Sequence, residues 1–330
     1  MAILESDAAI LPPSDDRVFK LLFTHPDAKP VLMDIISAVL DCKVLDVQVR
    51  NNELPPTDLE EKMERFDVNA VIDGGRQIDM EMQASSMEEK MSGEHINLRR
   101  KTIYYLSDLH SSQSSKGKAY DELARSYQVT FCSYTVFPQR TMFVNEFSMR
   151  TEDGYLFNDD IQVIFIELSK LNELLEKPVN EMTSLEMWSL FLRYADIPKY
   201  RYKVNEVIKA REVMGVATEL LTTISQDERE RAIFRSRRMY ITDWESNIRT
   251  AELRGEERGI VIGEERGIVI GEERGITIGE ERGIAIGEER GDIKLEERLK
   301  QIVAHMKQMG MPFDKIAIIT GIPNEIINKM

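Results

Sequence analysis

The chain is poor in the residues that build disulfide frameworks and zinc sites. Its 330 residues include two cysteines, Cys42 and Cys132, which lie far apart, and four scattered histidines. Neither cysteine has a metal-ligand spacing, which argues against a structural zinc site. Two free thiols are typical of proteins in a reducing compartment, so we expect a cytoplasmic protein.

Long apolar runs are also missing. No stretch approaches eighteen consecutive apolar residues, which argues against a transmembrane helix. The first sixteen residues are acidic and lack the basic start of a signal peptide, so we expect no secretion signal. With 42% hydrophobic and 31% charged residues, the composition is globular and fits one large core or two domains.

Positive charge is scarce as well, because the formal net charge is −15. Such a chain repels phosphates overall, so nucleic-acid binding would require local basic clusters. One candidate cluster contains Arg99, Arg100 and Lys101, with Lys116 and Lys118 nearby. The other contains Arg229, Arg231, Arg235, Arg237 and Arg238. Each cluster is either a solvated helix face or a set of contacts to DNA phosphates.

What the sequence does contain is a clear hairpin pattern in residues 66–83. Apolar and polar residues alternate on both sides of Asp73–Gly75, a turn sequence in which glycine reaches positive φ at little cost. Opposite residues of an antiparallel pair share a face, so a three-residue loop brings the two apolar sets together. This register pairs Asp67 with Glu81 and Asn69 with Asp79.

The polar face of this hairpin is rich in potential oxygen ligands. It carries Asp67, Asn69, Asp79, Glu81 and Gln83. Such a face is often solvated in antiparallel sheets. Carboxylates facing each other repel, however, and a hard divalent cation would relieve the repulsion, with Mg²⁺ or Mn²⁺ the best match for oxygen ligands. The pattern therefore predicts a divalent-metal site and phosphodiester chemistry.

An Asp followed about fourteen residues later by Glu-x-Gln resembles the PD-(D/E)XK nuclease signature in its Glu-x-Gln variant. This variant is typical of the Rpn family of recombination-promoting nucleases, whose members are also classed as transposases. Residues 16–23 resemble the family's D-x-x-F-K-x-x-F segment, and residues 164–170 resemble its later strand ending in Glu-Leu-x-Lys. Arg100, Tyr104, Tyr105, Gly117 and Tyr120 resemble the block between them. The resemblance covers nearly the whole chain.

The resemblance implies an α/β fold, with a restriction-endonuclease-like core of mixed central sheet and flanking helices, and a helical C-terminal extension. It implies Mg²⁺ or Mn²⁺ as cofactor, bound by Asp67, Glu81 and the backbone carbonyl of Met82. Gln83 stands where the wider superfamily has a lysine that orients or polarises the attacking water. An amide cannot carry that charge, although it can orient water or phosphate by hydrogen bonds.

The implied activity is metal-dependent DNA endonuclease cleavage, catalysed by Asp67, Glu81 and Gln83 and linked to DNA breakage and recombination in bacteria. Possible contacts to DNA phosphates come from Arg99, Arg100, Lys101, Arg235, Arg237 and Arg238. The alternative is a nuclease-fold protein whose catalysis is weak or lost, and which binds nucleic acid or self-assembles.

Helical spacing covers residues 15–40, 88–110 and most of 170–252. Strand patterns cover residues 44–50, 127–137, 142–147 and 161–168. We therefore predict a nuclease-like domain over residues 1–250, followed by a repeat segment over 251–295 and a small helical tail over 296–330.

The repeat segment consists of tandem octapeptides of the form GEERGIVI that start at Gly255. We favour a helix, with disorder or short β turns as alternatives, because two glycines per octad weaken a helix. Its function is either a spacer or self-association stalk, or an inert linker. The tail resembles a helix-turn-helix around Gly321, and a packing or oligomerisation cap is the favoured alternative. We expect a homo-oligomer formed through this C-terminal region and no membrane contact.

Overall fold

The computed structural model describes residues 3–5, 8–50, 68–84, 96–114 and 119–330. The chain divides into two compact units, Met1–Thr242 and Asp243–Met330. The three-part division predicted from the sequence, with boundaries at residues 250 and 295, is finer than this and stays a prediction.

The first unit is built on a mixed sheet with strand order β1-β2-β3-β4-β6-β5 among the described residues. The strands are β1 Val47–Val49, β2 Val68–Ile72, β3 Gln77–Gln83, β4 Ser126–Cys132, β5 Val144–Phe147 and β6 Ile161–Glu167. Strands β3, β4 and β6 are parallel, so their carboxyl ends lie at one edge of the sheet. The predicted strands are confirmed, and those outside the hairpin are shorter than their patterns suggested.

Two helices precede the sheet in sequence, α1 Asp16–Thr24 and α2 Lys29–Val39. The side chain of Asp15 caps α1 by accepting from the backbone N–H groups of Arg17 and Val18. A 3₁₀ turn at Pro26–Ala28 separates the two helices, because proline lacks the N–H that a continuing helix needs. The predicted helical region 15–40 is therefore confirmed as two helices.

The apolar face of the sheet packs against these helices and three later ones, α4 Ser184–Tyr194, α5 Arg201–Ala210 and α6 Glu212–Gln226. Phe19 of α1 contacts Phe131 of β4 with 5.5 Å between ring centroids. Trp188 is fully buried, and its Nε1–H donates to the Asp34 carboxylate at 2.8 Å. A single continuous core thus holds α1 against the sheet.

The opposite face of the sheet is covered by helix α3, Ile96–Ser111, which packs on β3, β4 and β6. Leu98, Thr102, Leu106 and Leu109 are buried on the inner side of this helix. The described part of the predicted helix 88–110 is confirmed, and residues 88–95 lie outside the described residues. The polar side chains of β3 and β4 therefore lie beneath a helix.

Helix α7, Glu228–Gln308, contains every octapeptide repeat and confirms the favoured helical form. In the second unit it is followed by α8 Phe313–Thr320 and α9 Asn324–Lys329, with a left-handed glycine, Gly321, ending α8. Val303, Ile316 and Ile327 form the buried core of this tail, which confirms its helical prediction. In the described part of the chain, none of the helices is both long and apolar enough to span a bilayer.

Candidate active site

The hairpin register predicted from the sequence is confirmed where the structure describes it. Asn69 of β2 lies opposite Asp79 of β3. Both glycines of the intervening turn have positive φ, 73° and 75°, which lets the chain reverse within three residues. Asp67, which this register places opposite Glu81, lies outside the described residues, so its position stays a prediction.

Asp79 and Glu81 are buried carboxylates, with exposed fractions of only 5% and 3%. They lie on the same sheet face as Gln128 and Thr130, because β3 and β4 pair in register. Helix α3 packs over this face and excludes water from it. The alternative that these two carboxylates are exposed to solvent is therefore wrong.

The two carboxylate oxygens of Glu81 differ in their hydrogen bonding. Its Oε1 accepts hydrogen bonds from the Nζ ammonium of Lys101 on α3 and, at 2.5 Å, from Nε2 of Gln83. Its Oε2 is buried and has no hydrogen-bond partner among the described residues. A buried carboxylate oxygen without a donor costs free energy, and it is also an available ligand.

Burial raises the pKa of both carboxyl groups. The pKa of Asp79 rises to about 7, mainly through desolvation and further through the charge of Glu81, while Gln128, Lys101 and Lys20 lower it. Desolvation also raises the pKa of Glu81, and its salt bridge with Lys101 opposes that rise. The site thus holds two carboxyl groups whose charged forms are unstable without further positive charge.

Helix α1 contributes charges of both signs near these carboxylates. Lys20 is 1% exposed, and its charge lowers the pKa of Asp79. Asp16, at the start of α1, raises the pKa of Glu81 by charge repulsion. Arg237 of α7 binds both oxygens of Asp16 at 2.8 and 2.7 Å and so neutralises part of that charge.

Glu81 offers a divalent cation one oxygen ligand of the kind that Mg²⁺ and Mn²⁺ prefer. Its Oε2, without a partner among the described residues, lies near the carboxyl ends of the parallel strands, beside Gln83. The described residues do not include a group of three acidic, histidine or cysteine side chains that could hold a metal. Met82 lies between Glu81 and Gln83, with its side chain buried in the apolar core.

The predicted phosphate contacts fall into two groups. Arg100, Arg235 and Arg238 lie exposed on helix surfaces. The other three already bind protein groups: Arg99 the Val136 carbonyl oxygen at 3.2 Å, Lys101 the Glu81 carboxylate, and Arg237 the Asp16 carboxylate. Arg99 is exposed as well, so what distinguishes Arg100, Arg235 and Arg238 is that they have no such bond among the described residues, which leaves them better placed to meet a phosphate.

Two features of the site were not identified from the sequence. Lys101, whose predicted contact to phosphate stays a prediction, forms a salt bridge with Glu81. Arg237 likewise binds α1 through Asp15 and Asp16. No local pattern marks either contact, because each joins segments that are distant in sequence and meet only through tertiary packing.

Comparison with known proteins gives one match. The family model described as PD-(D/E)XK nuclease family transposase matches residues 13–251. No curated protein and no solved structure matches the chain. The matched range contains the whole sheet, the hairpin, helix α3 and the start of helix α7.

Proposed function

Because the chain belongs to the PD-(D/E)XK nuclease family transposases, and such nucleases generally use divalent metals, we propose that it is a Mg²⁺- or Mn²⁺-dependent DNA endonuclease. The observation that carries this proposal is the buried Oε2 of Glu81 on a parallel strand, which has no hydrogen-bond partner in the described part of the chain. A carboxylate oxygen that is buried and lacks a donor contributes little to stabilising a fold. It is well suited to binding a cation.

In this proposal Asp67, Glu81 and the Met82 carbonyl hold the metal. When bound, the metal lowers the pKa of water and stabilises negative charge on the phosphate. The Gln83 amide, 2.5 Å from Glu81, orients the attacking water or a phosphate oxygen by hydrogen bonds. Helix α3 keeps bulk water from the carboxylates, which strengthens electrostatic interactions inside the site.

The central experiment is a nicking assay on supercoiled plasmid with Mg²⁺, Mn²⁺ or EDTA. We expect cleavage by the wild type with either metal, and a loss of roughly a thousandfold in Asp67→Ala and Glu81→Ala. Asp46→Ala removes an exposed carboxylate outside the site and serves as the matched control. Wild-type cleavage by both site variants would refute the assignment. An inactive wild type that still binds DNA would favour a binding module.

DNA binding must overcome the net charge of −15 through local basic surface. We propose that exposed Arg100, Arg235 and Arg238 contact the phosphate backbone. Replacing each by Ser should lower DNA affinity and reduce the dependence of log affinity on log salt by about one per residue. Equal salt dependence in wild type and the triple variant would exclude these contacts.

We further propose that the protein acts in the cytoplasm of bacteria, in DNA breakage and recombination, and that it self-associates through helix α7. The helix exposes a glycine at every fourth position of the repeats and an apolar pair in each of the first four octads, such as Ile260 and Ile262. Deleting residues 255–290 removes about ten helical turns and so preserves the helical phase. Light scattering should then give fewer chains per particle than for the wild type. An unchanged number of chains would exclude self-association through this segment.

A further inference from the structure

The site needs a positive charge that its strand does not supply. Gln83 is a neutral amide, and its Nε2 is already bonded to Oε1 of Glu81. Hydrolysis of a phosphodiester develops negative charge on the attacking and leaving oxygens. A cationic side chain beside the metal-binding carboxylate would stabilise that charge.

Lys101 is the cation that reaches this carboxylate. It extends from helix α3 to Oε1 of Glu81, the same oxygen that Gln83 contacts. Its side chain is 37% exposed, whereas that of Glu81 is only 4% exposed. The Lys101 ammonium also lies 5.2 Å from the centre of the Tyr105 ring. It therefore lies on the solvent side of the carboxylate, the side from which a phosphate would approach.

The other nearby cations are less suited to this task. Lys20 lies on the buried side of α1 and is only 1% exposed, so it cannot reach a phosphate unless that helix unpacks. Arg237 is bound to Asp16 through two hydrogen bonds. Arg100 is adjacent to Lys101 in sequence, but successive residues on a helix differ by about 100° in direction and do not share a face.

The geometry points to Lys101 as the residue that supplies, from helix α3, the positive charge that Gln83 lacks on the strand. This inference rests on the proposed nuclease function. In the reaction, the water oxygen bonds to phosphorus and the bond from phosphorus to the leaving oxygen breaks. A proton of the attacking water passes to solvent, and the leaving oxygen takes up a proton from solvent. Lys101 stays protonated throughout and stabilises the charge on the reacting oxygens while Oε2 of Glu81 remains available to the metal.

The test compares Lys101→Met, Lys101→Arg and the charge swap Lys101→Gln/Gln83→Lys. Cleavage should fall at least about a hundredfold in Lys101→Met and recover partly in Lys101→Arg and in the swap. Lys177→Met is the matched control, because Lys177 forms a salt bridge of similar exposure with Glu186 of helix α4, which packs on the apolar face of the sheet, opposite the face that carries Glu81. It should cleave like the wild type.

Mn²⁺ affinity, measured by calorimetry without DNA, gives a readout independent of cleavage. Removing a positive charge next to the metal should leave the affinity of Lys101→Met unchanged or raise it up to about fivefold. A purely structural lysine would instead lose cleavage and Mn²⁺ binding together, without recovery in the swap, and that result would overturn the inference.

Wild-type cleavage by Lys101→Met would overturn the inference as well, while leaving the nuclease function intact. If the wild type itself does not cleave, the nuclease proposal fails, and the inference that rests on it fails with it.

Discussion

Two buried glutamates at the same edge of the sheet each form a salt bridge with a lysine, yet their surroundings differ. Glu167 ends β6, and Glu81 lies near the end of the parallel strand β3. Both oxygens of Glu167 are satisfied. Its Oε1 accepts from the backbone N–H groups of Val136 and Phe137, and its Oε2 from Asn145 and Lys170. Only one oxygen of Glu81 has a partner among the described residues.

This difference separates a carboxylate that stabilises the fold from one available for a ligand. Four donors from three segments fix Glu167, and they hold the chain after β4 against the end of β6. Satisfied buried networks of this kind give a core its unique arrangement. Glu81 keeps a dry oxygen free beside a partly exposed lysine. Of the two glutamates, Glu81 is therefore the one whose carboxylate has an oxygen available to a cation among the described residues.

The largest expected effect on stability is that of Glu167→Ala. The substitution leaves two buried backbone N–H groups without an acceptor and Lys170 without its counter-ion, so we expect a loss of about 3–5 kcal/mol in unfolding free energy. Urea unfolding followed by circular dichroism measures it. Lys177→Met, which breaks a more exposed Lys–Glu pair, should cost about 1 kcal/mol or less. Equal losses in the two variants would contradict the structural role of Glu167.

A smaller effect is expected from Mn²⁺ itself. At about ten times its dissociation constant, a ligand that binds only the folded state stabilises it by about 1.4 kcal/mol. The wild type should gain this amount in urea unfolding, whereas Glu81→Gln should gain nothing. Glu186→Gln, altered at a glutamate outside the site, should gain as much as the wild type. Stabilisation of Glu81→Gln by the same amount would place the cation elsewhere.

In the absence of metal, Glu81→Gln should change stability only slightly. The neutral amide has the same shape and removes a buried charge that Asp79 repels, and Lys101 stays hydrated because it is partly exposed. We expect an unfolding free energy within about 1 kcal/mol of the wild type, and higher rather than lower. A loss as large as that of Glu167→Ala would show that both glutamates are structural.

The hairpin could be predicted because its pattern is local in the sequence. The features that could not be predicted depend on long-range packing. The pairing of Asn69 with Asp79 follows from period-two alternation and the length of the glycine turn, both of which lie within residues 66–83. The strands and helices follow from similar short-range periodicity. The helix of the repeats was favoured despite its glycines, and the structure confirms it.

The burial of Glu81 and its bond to Lys101 depend on where α3 packs, and nothing in the sequence near either residue specifies that. The environment of Glu167 is equally non-local, since its donors come from Val136, Asn145 and Lys170. The sequence could therefore predict which residues carry the chemistry, but not which of two buried glutamates has a free oxygen.

The smallest expected effect is a change in the pH dependence of stability in EDTA. The folded-state pKa of Asp79 is raised from 3.8 to about 7 by burial, and that of Glu81 is raised in the same direction. Between about pH 4 and pH 7 the folded protein therefore binds more protons than the unfolded chain, so stability falls as pH rises through this window.

Asp79→Asn should flatten this decline by less than about 1.4 kcal/mol per pH unit, the limit for a single proton. It should not abolish the decline, because Asp15, whose pKa is raised to about 6 by burial and by Asp16, contributes with the same sign. Urea unfolding of wild type and variant at pH 5, 6 and 7 measures the difference. Identical slopes would show that Asp79 is already ionised in the folded state, which would require a stronger positive field around Asp79 than Lys20 and Lys101 provide.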